Sequence, residues 1–412
     1  MKVFKFGGAS VKDAEGVKNV AAVLESQGFN NCLLVVSAMG KTTNALEKIV
    51  DLYFSKQPTS EAIAEIKDIH MKINSELFAE SHPVFADTEL VFADLESFLR
   101  RNKSPNYDFV YDQVVSCGEM ISSKILSAFL SDRGFTNQWL DSRDYIKTDD
   151  RYREGTVNWN KTEEYISNLS KNISYVTQGF IGSDDHNFTT TLGREGSDYS
   201  AAIFAYCLNA EAMTIWKDVP GVMTGDPRKF QNVSLLSNIS YEEAIEMAYY
   251  GASVIHPKTL QPLKQKNIPF YVKSFLEPEK AGTKVSVDSL NQHEESFILK
   301  ENQILMRIAT RDFSFIAENH ISHIFDALDR FKIRVSLMQN SAISLALCVE
   351  DKYGNIEQVK EHLEKNFNVD LKKGLALFTV RNADMKDFSK FFENRKILLE
   401  QVSKNAIQMV TQ

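Results

Sequence analysis

No apolar run in the chain approaches the roughly 20 residues that a membrane helix needs; CLLVV at 32–36 is among the longest. Phe4, Lys5, Phe6 and two glycines stand where a signal peptide would carry an unbroken apolar stretch, so no leader is expected. Cysteine is scarce as well. Cys32, Cys117, Cys207 and Cys348 lie far apart without a CxxC pair, a pattern that suits a reducing cytoplasm. No basic block offsets the net charge of -8, so neither nucleic acid nor a membrane is an expected partner. Two nucleotide signatures are missing: GxxxxGK[ST] occurs nowhere, and the absence of GxGxxG weighs against a dinucleotide-dependent redox enzyme.

What is present describes a folded protein. Hydrophobic residues make up 43% of 412 positions and prolines number only 9, enough core material for two or three domains. Residues 1 to about 275 alternate short apolar runs with helical patterns, which predicts an α/β layered fold. CLLVVSAMG (32–40) reads as a central parallel strand, with Asn44 placed to cap a helix bearing Leu46, Ile49, Val50 and Phe54. DFVYDQVVSCGEM reads as a strand through Val114 and Val115, after which Gly118-Glu119 opens a helix. SYVTQGFIG (174–182) and AMTIWKDVPGV (212–222) are further strand-to-loop transitions, and 45–105 is a helical excursion. EPEKAGTKVSVDSLNQHEES (277–296) is polar and turn-rich, and is expected to be a linker. Beyond it the order becomes βαββαβ, the ferredoxin-like arrangement, with a turn expected near Gln339-Asn340. A second pass then begins, with a helix near 384–394 and two short strands in KILLEQVSKNAIQMV. It lacks the material for a whole module unless a strand near SFILKEN (296–302) or a partner subunit completes it.

Ligands of open α/β sheets bind beyond the carboxyl ends of the strands. That rule gathers Lys5, Gly7, Gly8, Ser37 to Thr43, Glu119, Phe180, Lys217 and Asp218 on one rim. Glycines beside Lys5 let backbone approach a phosphate, and its ammonium can stabilise charge in transfer. In TLGREGSDYSAA, Ser197 and Asp198 stand at a helix start that invites an anion, or that they simply cap. Arg194 adds a forked carboxylate binder there. Glu119 for an ammonium and Arg194 for a carboxylate is the charge layout that an α-amino acid requires. KDVPGVMTGDPRKF (217–230) is mostly turn formers when taken alone. His320 and His323 lie one helical turn apart with no third ligand nearby in sequence, so no protein metal site is expected.

The ordered series KFGGAS, VSAMGKTTN, VSCGEM, TQGFIG, TLGREGSDYSAA, DVPGVMTGDPR and YGASVIHPKTLQP resembles the aspartate kinases of the amino-acid kinase superfamily. The tail resembles the ACT regulatory domains that follow such kinases. The resemblance implies a three-layer αβα sandwich over 1–283, a linker over 284–300 and an ACT region over 301–412. Within that region one full module is expected near 303–381, with an abbreviated second module after it. It implies MgATP-dependent phosphorylation of the L-aspartate β-carboxylate, an early step of lysine, threonine and methionine synthesis. Lys5 then corresponds to the lysine that stabilises the transferred phosphoryl group, and Asp198 to the acid that orients it. Glu119 and Arg194 form the aspartate clamp, with Ser37, Thr43, Phe180 and Ser197 as smaller contacts. Asp218 and Arg228 match nucleotide contacts, beside Gly7 and Gly8.

Three positions depart from the family pattern. Lys217 replaces a common threonine, Met223 a common tyrosine, and Ser253 a lysine that reaches the phosphates. Lys217 or Lys258 is expected to restore the missing charge in a working ATP site. In the regulatory half, Ser336 and Ala342 occupy slots that are acidic in lysine-inhibited relatives. With Gln339, Asn340 and Ser341 offering neutral groups, a small effector such as threonine is expected over lysine. ACT sheets pair side by side, so a homodimer through the tail is expected. The rival readings are another amino-acid kinase and a non-catalytic amino-acid sensor with a degenerate ATP site. An appended dehydrogenase is not expected, because no dinucleotide-binding unit follows.

Overall fold

The computed structural model describes residues 1–193, 195–252, 255–287, 294–382 and 395–412. The chain divides into two compact units. The first holds Met1–Val222, Leu235–Ile245 and Val254–Asn291, and the second holds Met223–Ser234, Glu246–Ser253 and Gln292–Gln412.

The first unit is built on an eight-stranded sheet. Its strands are β1 (Lys2–Phe6), β2 (Cys32–Val36), β3 (Gln138–Leu140), β4 (Tyr175–Gln178), β7 (Ala212–Lys217), β8 (Asn238–Ile239), β9 (Phe270–Ser274) and β10 (Thr283–Val285). A small hairpin of β5 (Ile181–Ser183) and β6 (Thr189–Thr191) stands apart. The sheet order is β3-β4-β2-β1-β7-β9-β10-β8, parallel except where β10 runs against β9. Parallel neighbours need crossovers, and these lay helices on both faces. Helices Ala14–Gln27, Thr42–Phe54, Ser60–Leu77, Val84–Arg101 and Tyr107–Asp132 make one layer. Helices Trp159–Ser167, Gly196–Leu208 and Pro257–Gln265 make the other, giving three layers as expected.

Strand alternation decides what faces each layer. Phe4 and Phe6 join Leu34, Val36, Val176 and Trp216 in the core under the first helical layer. Phe6 and Trp216 stack with ring centroids 6.1 Å apart. Lys5, between the two phenylalanines, therefore points to the opposite face, toward helix Gly196–Leu208.

Four readings are corrected. Val114 and Val115 belong to no strand, because Tyr107–Asp132 is one continuous helix of 26 residues. It is buried on almost every side, so its apolar residues show no single-face period. By length and composition this helix could cross a membrane, contrary to the expectation from apolar runs, yet most of it is buried inside the protein. Asn44 caps nothing at the start of the next helix, which begins at Thr42 after Lys41. The stretch 284–300 is not a plain connector: Lys284 and Val285 lie in β10, and Ser296–Lys300 in the strand that opens the second sheet. A three-residue strand carries too little alternation to show against polar flanks.

The second unit is a six-stranded antiparallel sheet of β11 (Ser296–Thr310), β12 (Arg334–Asn340), β13 (Ser344–Glu350), β14 (Phe367–Arg381), β15 (Ile397–Val402) and β16 (Ala406–Thr411). Their order is β12-β13-β11-β14-β16-β15. Helices Glu318–Arg330 and Ile356–Leu363 cover one face through Met306, Ile308, Leu345, Leu347 and Val349. The first four strands with these helices are the ferredoxin-like βαββαβ of an ACT module. Gln339 and Asn340 end β12 rather than form the turn, which falls at 341–343. Ser296–Lys300 pairs with Leu377–Arg381, so the SFILKEN stretch does supply a strand to the abbreviated second module. The helix expected near 384–394 lies outside the described residues.

Candidate active site

β1, β2, β4 and β7 are parallel, so their carboxyl ends, at Phe6, Val36, Gln178 and Lys217, form one rim. Lys5 Nζ lies 2.6 Å from Asp198 Oδ1. Lys217 Nζ lies 3.4 Å from Asp198 Oδ2. The Asp198 side chain is 1% exposed, so this carboxylate is almost wholly enclosed and shared by two ammoniums. Burial opposes its ionisation, but Lys5 and Lys217 hold its carboxyl below the usual range. Burial likewise works against the Lys217 ammonium, and the Asp198 carboxylate outweighs it and keeps the amine above the ordinary lysine range. Asp198 is thus not a helix cap. The helix begins at Gly196 after a left-handed Glu195, with no side-chain cap bond.

Glycines hold the loops close. A Cβ on Gly8 would sit 2.7 Å from the Ala38 carbonyl oxygen, and Gly40 N donates to Gly8 O at 3.0 Å. A Cβ on Gly7 would lie 3.4 Å from Lys5 Nζ. Ser37 N donates to Phe6 O at 3.1 Å, which ties the loop after β2 to the end of β1. Phe180 is left-handed at φ 72° and is held there by its N–H donating to Ser200 Oγ at 2.9 Å. Gly179 lets this turn pack on Ser197, whose Cβ would lie 2.5 Å from an added methyl. Thr43 stands half-buried in the first turn of Thr42–Phe54.

Glu119 projects from the middle of Tyr107–Asp132, not from a helix start, so the helix dipole gives no account of it. The carboxylate is 2% exposed. Ala38 N donates to Oε1 at 3.4 Å, while Oε2 has no hydrogen-bond partner among the described residues. Burial pushes its pKa up to about 8, with the Ala38 N–H and the Lys5 charge opposing. A buried carboxyl with an oxygen that no described residue satisfies can pair with a cation. Gly118 makes this position possible, because a Cβ there would lie 2.9 Å from Ala38 Cβ and 3.2 Å from Thr42 Cγ2. Gly118→Ala gains helix propensity of about 1 kcal/mol but overpacks the contact. The expected net result is a loss of about 1–2 kcal/mol, read as a lower Tm by thermal melting, with weakened substrate binding.

Sequence reading missed Asp112 and Ser200. Asp112 accepts from Arg153 N at 2.9 Å, Thr191 N at 2.8 Å and Thr191 Oγ1 at 2.8 Å. It thereby ties the Glu119 helix to the strand that leads into the GREGSD loop. A lone acid in the apolar stretch VYDQVV was the available signal.

The remaining candidates divide. Asp218 is exposed just past β7, and Lys258 lies in the first turn of Pro257–Gln265, where its N–H donates to His256 Nδ1 at 3.2 Å. Met223 and Arg228 belong to the second unit. Arg228 forks onto Asp226 through Nε at 2.9 Å and Nη2 at 2.8 Å. Arg194 and Ser253 lie outside the described residues. In the second unit, Gln339, Asn340 and Ser341 line a cavity of about 700 Å³ with Arg307, Asn368 and Asp370. Ser336 is not in its lining, and its hydroxyl lies 3.4 Å from Lys300 Nζ.

A rim of parallel strands carrying a lysine–aspartate pair, with glycine-rich turns beside it, can place backbone and an ammonium against a phosphoryl group. The chain belongs to the amino acid kinase family, which it matches over residues 1–274. Within that family it groups with the aspartate kinases. Lysine-sensitive aspartokinase 3 of Escherichia coli is 30% identical over 399 residues, covering 93% of this chain and 87% of that protein. A bifunctional aspartokinase/homoserine dehydrogenase of Buchnera aphidicola is 31% identical over 394 residues. The chain spans about half that relative's length, 47%. Among solved structures, E. coli aspartokinase III in complex with aspartate and ADP superposes with a TM-score of 0.87 at 28% identity, covering 100% of this chain and 96% of that one. The same enzyme with lysine and aspartate gives 0.79.

Proposed function

We propose that the chain transfers the γ-phosphoryl group of MgATP to the β-carboxylate of L-aspartate, yielding 4-phospho-L-aspartate and ADP. The observation that carries this reading is the buried Glu119 carboxylate, with one oxygen unfilled, on the same rim as the Lys5–Asp198 pair. Glu119 receives the substrate ammonium, and Arg194 is assigned the α-carboxylate. Ser37, Thr43, Phe180 and Ser197 are assigned smaller contacts to the same substrate. The β-carboxylate oxygen attacks the γ-phosphorus as the bond to the β,γ-bridging oxygen breaks, and the electron pair leaves with ADP. No general base is needed, since the nucleophile is already ionised at neutral pH. Lys5 meets the charge that accumulates on the phosphoryl oxygens, and Asp198 fixes where that ammonium sits.

Gly7, Gly8, Lys217, Asp218 and Lys258 are assigned to the nucleotide side, with Met223, Arg228 and Ser253. Among the described residues no group of three His, Cys, Asp or Glu side chains is placed to hold a metal. Mg2+ is assigned to the nucleotide phosphates, in keeping with a cation that retains water and binds few protein ligands. Residues 1–283 are assigned catalysis and 301–412 regulation. A cytoplasmic location belongs to the same reading, which the four free cysteines support.

The cavity beside Gln339, Asn340 and Ser341 is assigned to an amino-acid effector. Arg307 and Asp370 lie opposite each other on the β11–β14 ladder, a cation and an anion for the two ends of a zwitterion. Neutral amides beside them suit threonine over lysine, whose side-chain ammonium would be left unpaired. Threonine is expected to inhibit at lower concentration than lysine, and Asp370→Asn to weaken that inhibition about tenfold or more. Dose–response curves for both amino acids check it, and stronger inhibition by lysine would count against the assignment. A homodimer along β12 completes the reading. That strand ends the sheet, with Met338, Ile343, Phe313 and Phe315 exposed.

The test of function is direct. With ATP, Mg2+ and hydroxylamine, the purified chain should form aspartyl hydroxamate, and much less product with glutamate. Absence of product with aspartate would sink both the activity and its residue assignments.

A further inference from the structure

Asp198 holds two lysines, and the second is not required to neutralise it. Lys5 alone, at 2.6 Å, satisfies one carboxylate in a site whose aspartate side chain is 1% exposed. Lys217 brings a second ammonium to the other oxygen at 3.4 Å, with its own side chain 18% exposed. Lys217 also feels the Glu195 and Asp218 carboxylates, whose charges favour its ammonium along with that of Asp198. Its ammonium thus stays charged and partly open, within reach of an incoming anion.

Strand geometry fixes where the two ammoniums point. Lys5 pairs with Ile215 across the parallel β1–β7 ladder, and Lys217 lies two residues beyond Ile215. A period of two puts Lys5, Ile215 and Lys217 on one face, with Phe6 and Trp216 stacked on the other. Both ammoniums therefore stand on the same side of the sheet, at its carboxyl rim. Gly7 leaves room beside the Lys5 ammonium, and Gly8 lets the loop close on the Ala38 backbone.

We propose that Lys217 is a second phosphoryl-facing cation of the kinase reaction, working with Lys5 on the group in transit rather than holding the nucleotide alone. This rests on the aspartate kinase reading above and deepens it. During transfer, negative charge spreads over the three equatorial oxygens of the phosphoryl group, more than one ammonium can meet. Asp198 keeps the two lysines apart and oriented, so they need no rearrangement as that charge develops. The nucleophile remains the substrate carboxylate and the leaving group remains ADP. Lys217 forms no covalent bond and gives up no proton.

The experiment is steady-state kinetics on the full chain with Lys217→Thr, Lys217→Met and Lys217→Arg, each checked for folding by thermal melting. Threonine and methionine should lower kcat about 10²-fold while KM for ATP and for aspartate stay within about threefold. Arginine, which keeps the charge, should recover much of kcat. Combined with Lys5→Met, the loss should fall short of the product of the single losses, because both cations act on one group. A rise in KM for ATP with kcat unchanged would overturn the proposal and leave the kinase reading intact, as would a lowered Tm with unchanged kinetics. A wild-type chain that phosphorylates no aspartate would overturn the reading and the proposal together.

Discussion

Lys5→Met is expected to lower kcat for phosphoaspartate formation by about 10²–10³-fold, the usual loss when one preorganised charge at a reacting centre is removed. The fold should survive, because Asp198 keeps Lys217 as a partner. Aspartate KM should change less than kcat, since Lys5 pairs with Asp198 at 2.6 Å and acts on Glu119 only through its charge. The pattern of lost kcat with near-constant KM marks an interaction made chiefly in the transition state. Hydroxamate kinetics across an aspartate titration read both parameters. Turnover within threefold of wild type would remove Lys5 from the chemistry.

The second large effect concerns Glu119. In the free protein burial lifts its pKa to about 8, so near pH 7 the group mostly carries a proton. Docking of an ammonium favours the ionised form, so aspartate binding at pH 7 should release close to one proton per site. Calorimetry in buffers of different ionisation enthalpy measures that release, and aspartate affinity should rise between pH 6 and about 8. Glu119→Gln abolishes the proton release and leaves the ligand cation without its counter-charge, a loss of about 3–5 kcal/mol, or at least 10²-fold in affinity. The stability sign is the reverse. A carboxyl with a raised folded pKa contributes stability below its ordinary value of 4.5 and loses it as pH climbs through about 8. Glu119→Gln should flatten that decline in the unliganded protein.

Much of this site was legible because it follows strand periodicity. KVFKF sets Lys5 against its phenylalanine neighbours, and AMTIWK sets Lys217 against Trp216 in the same way. The rim was legible because parallel strands end together. The context of Glu119 was not. Its helix is buried nearly all round, so β-branched Val114 and Val115 imitate a strand and Gly118 imitates a helix start. The glycine instead answers to Ala38 and Thr42, neighbours that are distant in sequence. Asp112 escaped notice for a related reason, since its three donors come from Arg153 and Thr191. Local pattern reveals which face a residue takes, and not which remote backbone group it will meet.

Strands β11 and β14 are each fifteen residues long. Each passes through both halves of the sheet, giving its end near Ile304–Ala309 or Phe367–Leu371 to one and its end near Ser296–Lys300 or Leu377–Arg381 to the other. Among the described residues the shorter half adds the β15–β16 hairpin, which pairs along β14. Cut from the longer half, that hairpin would lose the edge it pairs with. The two halves therefore share a ladder whose register changes where they meet, between Lys300 and Gln303 and again between Gln303 and Leu305.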